Sequence, residues 1–215
     1  MIHFLGSSHA AHHLAAAAIK RGNEVTFNIQ QADVVFVSED TPTDDLGARD
    51  MKPILELLDI AIHVGKPIVL TSQVEPGFTR SLGIEKIHHQ AETLRIKDAE
   101  ERAYSPDYIA VGGKAPIPEA YFRYLFSFGC PVIRMSWEEA EFSKIAVNMM
   151  LAAQVDATNW LAKAAAHYGA DWKNVAVALA HDKRIGKEAY LTPGRWQDSK
   201  HLMRDFRTLE ALSTR

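Results

Sequence analysis

Residues Ser136 to His167 read as one unbroken helix, and no other stretch limits the fold as strongly. Ser136 followed by Glu139 is a capping box, and Gly169 stands where a left-handed residue ends a helix. A helix of about thirty residues spans roughly 45 Å, more than the width of a small domain. It therefore predicts either a connector between two packed bodies or the spine of a dimer. Met149, Met150, Leu151, Val155, Trp160 and Leu161 spread around several of its faces, so more than one side has to be covered. A homodimer through residues 136–167 is the expectation. Glu141, Lys144 and Asn148 fall on a common face, where any chemistry along the helix is expected.

Upstream the pattern alternates. Ile2–Leu5 reads as a strand, followed by Gly6, a helix rich in alanine up to Gly22, and a second strand over Glu24–Asn28. Ala32–Val37 is a third strand. A helix then begins near Asp50 and Pro53 and stops at Gly65, and Pro67–Thr71 is a fourth strand. Ile84–Leu94 reads equally as strand or helix. Ala99–Tyr104 and Pro118–Phe128 read as helices, Tyr108–Val111 and Pro131–Met135 as strands. Alternation of this kind predicts an α/β fold with a mostly parallel sheet covered on both faces. After Met135 the pattern is helical, with a second helix capped by Asp171 and a closing one over Leu202–Leu212. Two domains follow, a dinucleotide-binding type over 1–135 and a helical, dimer-forming one over 136–215.

The opening strand, glycine, helix and strand form the βαβ unit of a dinucleotide-binding fold. The three positions of G-x-G-x-x-G fall on Gly6, Ser8 and Ala11. Gly6 keeps the tight turn, and Ser8 places a side chain where backbone should approach a pyrophosphate. The helix start nevertheless remains an anion site. No acidic residue ends the second strand, where Asn28 stands. Read alone, the unit fits either a working cofactor site or an inherited scaffold.

A net charge of −3 and a pI near 6.4 argue against nucleic acid or an anionic membrane as partner. No apolar run approaches the roughly 20 residues of a membrane span, and MIHFLG reads as a strand rather than a signal peptide. The single cysteine, Cys130, excludes an internal disulfide and reads as a packing thiol. A cytoplasmic protein is expected. His9, His12 and His13, and His88 with His89, lack partners at a metal-binding spacing, so no metal is expected.

With these pieces in order, the chain resembles the nucleotide-sugar 6-dehydrogenase family, which includes UDP-glucose and GDP-mannose dehydrogenases. The resemblance rests on ADVVFVSEDTPTDD, LTSQVEPGFTR, YSPDYIAVG, WEEAEFSKIAVNMMLAAQ and GADWKNVAVALAHDKRIG, five segments in the family's order. It implies a Rossmann-like domain, NAD or NADP as cofactor, and a sugar or nucleotide sugar as substrate. It also implies that Lys144 holds an oxygen of the reacting carbon, that Asn148 bonds beside it, and that Asp205 helps activate water. The cofactor contacts implied are Gly6, Ser7, Ser8, His9 and Ala10 at the first turn, Asn28, the loop residues Ser38, Thr41 and Pro42, then Ser72, Gln73, Asp107 and Arg204. Gln73 replaces a threonine, Asp107 a glutamate and Arg204 a lysine, and Val111 replaces a second glutamate used in acid–base work.

The largest departure is in PGRWQDSKHLMRD, where His201 stands at the family's nucleophilic cysteine. That cysteine carries the second oxidation through a thioester, which histidine does not replace. The expectation is therefore two-electron alcohol–carbonyl chemistry, with His201 as a further proton-transfer group and Glu141 paired with Lys144. The sequence stops at Arg215, where the family continues with a further domain; a smaller substrate, a covering subunit or no turnover is the corresponding expectation. The alternative is a catalytically inactive homologue, a dimeric ligand-binding or scaffold protein on the same fold.

Overall fold

Among the described residues six strands form one sheet in the order β1 (Ile2–Leu5), β2 (Val34–Val37), β3 (Ile68–Leu70), β4 (Ile87–Gln90), β5 (Ile109–Gly112) and β6 (Val132–Met135). The coordinates are a computed structural model that describes residues 1–44 and 48–213, the side chains of Ile96 and of 211–213 excepted. All neighbouring strands run parallel except β4 and β5. Parallel neighbours need crossovers, and helices supply them: α1 (His9–Lys20), α2 (Lys52–Val64), the short α3 (Phe78–Ser81), and α5 (Glu119–Ser127). The helix α4 (Ala99–Tyr104) lies in the connection between the antiparallel pair.

Side chains of β2 show why the sheet is covered twice. Val34 and Phe36 join a core with Ala17 and Ala18 of α1 and Tyr121 and Tyr124 of α5. Val35 and Val37 join another with Ile54, Leu58 and Ala61 of α2. Successive strand residues face opposite sides, so an uninterrupted apolar run marks a strand buried on both. All four of these residues are fully buried. The ambiguous stretch Ile84–Leu94 resolves as β4, which starts at the fully buried Ile87.

The strand expected over Glu24–Asn28 does not form. Only Val25 bridges to Ile2, through Ile2 N–H to Glu24 O at 2.8 Å and Thr26 N–H to Ile2 O at 2.9 Å. Local side-chain bonds end it. The Thr26 hydroxyl accepts from Asn28 N–H at 3.1 Å, and the Asn28 side chain accepts from Gln30 N–H at 3.0 Å, which starts a 3₁₀ turn over Ile29–Gln31. Phe27 is left 95% exposed, so no packing opposes this turn.

The long helix is α6 (Trp137–His167), and its capping box is made in both directions. Ser136 Oγ accepts from Glu139 N–H at 3.2 Å, and the Glu139 carboxylate accepts from Ser136 N–H at 2.7 Å. At the other end Gly169 adopts φ 71°, with Ala170 N–H bonded to Ala165 O at 2.9 Å. The chain divides into two compact units, Met1–Lys144 and Ile145–Arg215, so the first two turns of α6 belong with the sheet rather than with the helical unit. Trp137 explains this, because its indole donates to Ile87 O at 3.0 Å and packs on the α2-side core. Ala140 lies so close to Gly112 that a Cβ there would sit 2.8 Å from the Ala140 methyl.

In the second unit α6 is joined by α7 (Trp172–His181), capped by Asp171, and α8 (Lys200–Ser213). The loop between them is laced to α6: Thr158 Oγ1 donates to Tyr190 O at 2.7 Å, and Asn159 exchanges two bonds with the Gly194 backbone. Among the described residues no helix is long and apolar enough to cross a membrane. Cys130 packs at the edge of the α1-side core, and burial pushes its thiol pKa up, as suits a packing thiol.

Candidate functional site

The carboxyl ends of β1, β2 and β3 gather most of the cofactor residues expected in the first unit. From β1 the chain passes through α1 to Val25 on one side, then returns to β2 on the other. This places a topological switch point at β1, where ligands bind open α/β sheets. Gly6 turns the chain there at φ 130°, and a Cβ would lie 2.0 Å from Ser38 O, so only glycine fits.

Ser8 does not obstruct the turn as its side chain suggested. It is 3% exposed, and its hydroxyl points inward, donating to Ser38 O at 3.0 Å and lying 3.1 Å from Ser38 Oγ. The same oxygen accepts from Ala11 N–H at 3.1 Å and so caps α1. His9 is exposed and meets the His13 ring edge to face, Ala10 is half-buried, and Ser7 is exposed. Ser72 accepts from Glu39 N–H at 2.8 Å, and Thr41 donates to Gln73 O at 3.0 Å. Pro42 is exposed in the loop beyond; Asp45, the last residue of its motif, lies outside the described residues.

Two expected cofactor residues lie on other segments. Asn28 caps the 3₁₀ turn. Asp107, exposed before β5, lies 3.8 Å from Arg102.

One residue here escaped the sequence reading. Glu39 follows β2, and its Oε2 accepts from Ser7 N–H at 2.8 Å and from Ser7 Oγ at 3.0 Å, while Oε1 accepts from Asp40 N–H at 3.0 Å. Burial raises its pKa, but the bonds from Ser7 and Asp40 outweigh that and hold it below the ordinary carboxylate value. The signal was an acidic residue next to the strand-end Ser38, at the edge where ligands bind. In shape the turn offers a phosphate a tight bend at Gly6 and a helix start, with the Ser8 hydroxyl turned inward. The anion already resting on Ser7 belongs to the chain.

In the second unit a polar set is buried between α6 and α8. Asp205 is fully buried, Asn148 is 6% exposed and Arg204 9%. Asn148 Nδ2 donates to Asp205 Oδ2 at 2.6 Å, and Arg204 Nε donates to Asp205 Oδ1 at 3.2 Å. Asp205 thus joins an amide and a guanidinium 57 and one residue away in sequence. His201 is exposed on the first turn of α8, and Lys144, half-buried, sits one helical turn before Asn148 on α6.

Glu141 does not pair with Lys144 as expected. It is 2% exposed and accepts from Gly77 N–H at 2.5 Å and Thr79 N–H at 2.8 Å, binding α6 to the start of α3. Those amides begin a helix and have no partners within it, which is why a carboxylate is drawn there. Burial pushes the Glu141 pKa up, against the pull of these bonds. Among the described residues no three histidine, cysteine, aspartate or glutamate side chains converge as metal ligands.

Residues 138–215 match the profile of the UDP-glucose/GDP-mannose dehydrogenase family, central domain. The UDP-glucose 6-dehydrogenase of Rickettsia conorii is 27% identical over 187 residues, 81% of this chain and 43% of that protein. UDP-glucose 6-dehydrogenase 2 of Arabidopsis thaliana is 28% identical over 194 residues, 76% of this chain and 39% of that protein. The chain therefore spans less than half the length of these relatives. In fold it is similar to GDP-mannose dehydrogenase from Pseudomonas aeruginosa, with a TM-score of 0.72 at 18% identity over 97% of this chain and 64% of that one.

Proposed function

We propose that this chain, a divergent relative of the UDP-glucose/GDP-mannose dehydrogenase family, is an NAD- or NADP-dependent oxidoreductase that interconverts an alcohol and a carbonyl on a sugar or nucleotide sugar. The observation that carries this reading is the buried set of Asn148, Asp205 and Arg204, which lies inside the stretch matching the family's central domain. Asp205 accepts one N–H of the Asn148 amide and so fixes how the amide is turned, leaving its Oδ1 and second N–H to meet a substrate oxygen. Lys144, one turn earlier on the same helix, is the second group for that oxygen and the candidate base for the hydroxyl proton. His201 is a further proton-transfer group.

Gly6 and the start of α1 are the groups for the cofactor diphosphate, with Ser38, Thr41, Ser72 and Gln73 along the same strand ends. The chemistry a bound nicotinamide supplies is a hydride acceptor. Because His201 stands where the resemblance places the thiol, oxidation ends at the carbonyl. Two copies assemble through residues 136–167, whose outward side exposes Met150 and Trp160, the latter 70% exposed.

The test is absorbance at 340 nm with UDP-glucose, GDP-mannose and free sugars, each with NAD or NADP. Reduced cofactor is expected to form with at least one of them, one equivalent per substrate oxidised, and to be abolished in Lys144→Ala. An unchanged rate in that variant refutes the assignment, and two equivalents per substrate refute the two-electron limit. Light scattering at twice the chain mass is expected for the assembly.

A further inference from the structure

The carboxylate of Glu39 lies where a phosphate would have to bind. In dinucleotide-binding folds the pyrophosphate rests on the turn after the first strand and on the start of the next helix. Here that turn is Gly6–Ser8, and both donors of Ser7, its backbone N–H and its hydroxyl, already point at Glu39 Oε2. The other oxygen is held by Asp40 N–H, and the Glu39 N–H is held by Ser72 Oγ, so the residue is fixed from both sides. Its depressed pKa agrees with this placement and keeps it charged at neutral pH. A phosphate approaching Gly6 meets a like charge and finds Ser7 engaged.

We infer that Glu39 is a built-in competitor for the cofactor phosphate: a dinucleotide binds this chain only by displacing the Glu39 carboxylate from Ser7. The inference rests on the reading of the Gly6 turn as a dinucleotide site. It adds that the site is closed by the chain's own anion. Two costs are charged against binding, the loss of the charge-assisted bonds to Ser7 and the proximity of two anions if the carboxylate stays nearby. The uncharged side chain of glutamine removes the second and weakens the first, while alanine removes both.

Titration calorimetry of NAD and NADH against the whole chain, Glu39→Gln and Glu39→Ala tests this, with circular dichroism confirming that each variant is folded. Both variants are expected to bind at least tenfold more tightly than the unaltered chain, alanine no less than glutamine. The amide resonance of Ser7 gives a second readout. It should shift on Glu39→Gln without ligand, and shift again in the unaltered chain when NAD is added. Equal binding within twofold in all three proteins overturns the competitor and leaves the cofactor site standing. No binding to any of the three at millimolar dinucleotide overturns both.

Discussion

Two histidines buried side by side on β4 make the stability of this fold sensitive to mild acid. His88 is 1% exposed and His89 3%, and among the described residues the Nδ1 atom of each has no hydrogen-bond partner. Burial pushes the His89 pKa down to about 4. His88 moves in the same direction, by burial first and then by the positive charge of Arg134, against a bond that its ring donates to the Pro116 backbone carbonyl. In the unfolded chain a histidine titrates near 6.5, so on acidification the unfolded state takes up the proton first. The contribution of neutral His89 is thus complete above about pH 6.5 and is lost as the pH falls toward 4. A gap between about 6.5 and about 4 corresponds to about 3 kcal/mol.

The perturbation that isolates this is His89→Leu, which keeps the side chain buried and removes its proton site. Urea unfolding followed by tryptophan fluorescence at pH 7, 6, 5 and 4 measures the stability of both proteins. Carboxylates elsewhere also titrate in this range, but they do so in both proteins and cancel in the difference. That difference should move by about 3 kcal/mol in favour of the variant between pH 7 and pH 4. Parallel curves would refute the reasoning, because they would mean that His89 is protonated in the fold or reaches solvent.

Two further changes probe the turn and the buried set. Gly6→Ala should cost about 3 kcal/mol or more in urea unfolding, since its Cβ would meet Ser38 O at 2.0 Å and its φ of 130° disfavours any other residue; a loss under about 1 kcal/mol refutes the close approach. Asp205→Asn removes the acceptor of the Asn148 and Arg204 bonds in a buried setting and should cost about 1–3 kcal/mol in urea unfolding; an unchanged stability refutes the contribution of these bonds.

What could be read from the sequence was whatever short-range physics decides. The Ser136–Glu139 cap involves groups three residues apart, and the apolar run of β2 carries its own statement of burial on two faces. The second strand failed for the same reason in reverse. Glu24–Asn28 has strand-like residues, yet the hydroxyl of Thr26 and the amide of Asn28 satisfy the backbone locally and turn it. Long-range polar pairs were not legible from spacing. Glu141 has Lys144 one turn away, and its actual partners, Gly77 and Thr79, lie 64 and 62 residues upstream. Glu39 escaped for a related reason, since its partner Ser7 sits 32 residues before it and only the parallel register of β1 and β2 brings the two together. Asp205 was reached through the resemblance, and the bond from Asn148 gives it a partner that no periodicity announced.

The polar anchors also explain why a helix as weakly amphipathic as α6 holds a definite register. Its apolar residues occupy several faces, and small alanines line much of its length, so packing alone would tolerate sliding or rotation. Instead, buried polar side chains each bind one specific backbone or side-chain group: Glu141 takes two amides at α3, Asn148 takes Asp205, and Thr158 gives its hydroxyl to Tyr190 O. A slip of one residue rotates each of them by about 100° and leaves a buried carboxylate and a buried amide without partners. The cost of such unpaired groups, about 1–3 kcal/mol each and more for the charges, makes register the strongly specified property of this helix. Lys144 lies between Glu141 and Asn148, so its position along α6 is set from both sides. A catalytic role for Lys144 would thus depend on two anchors, and weakening either should affect the reaction before it unfolds the chain.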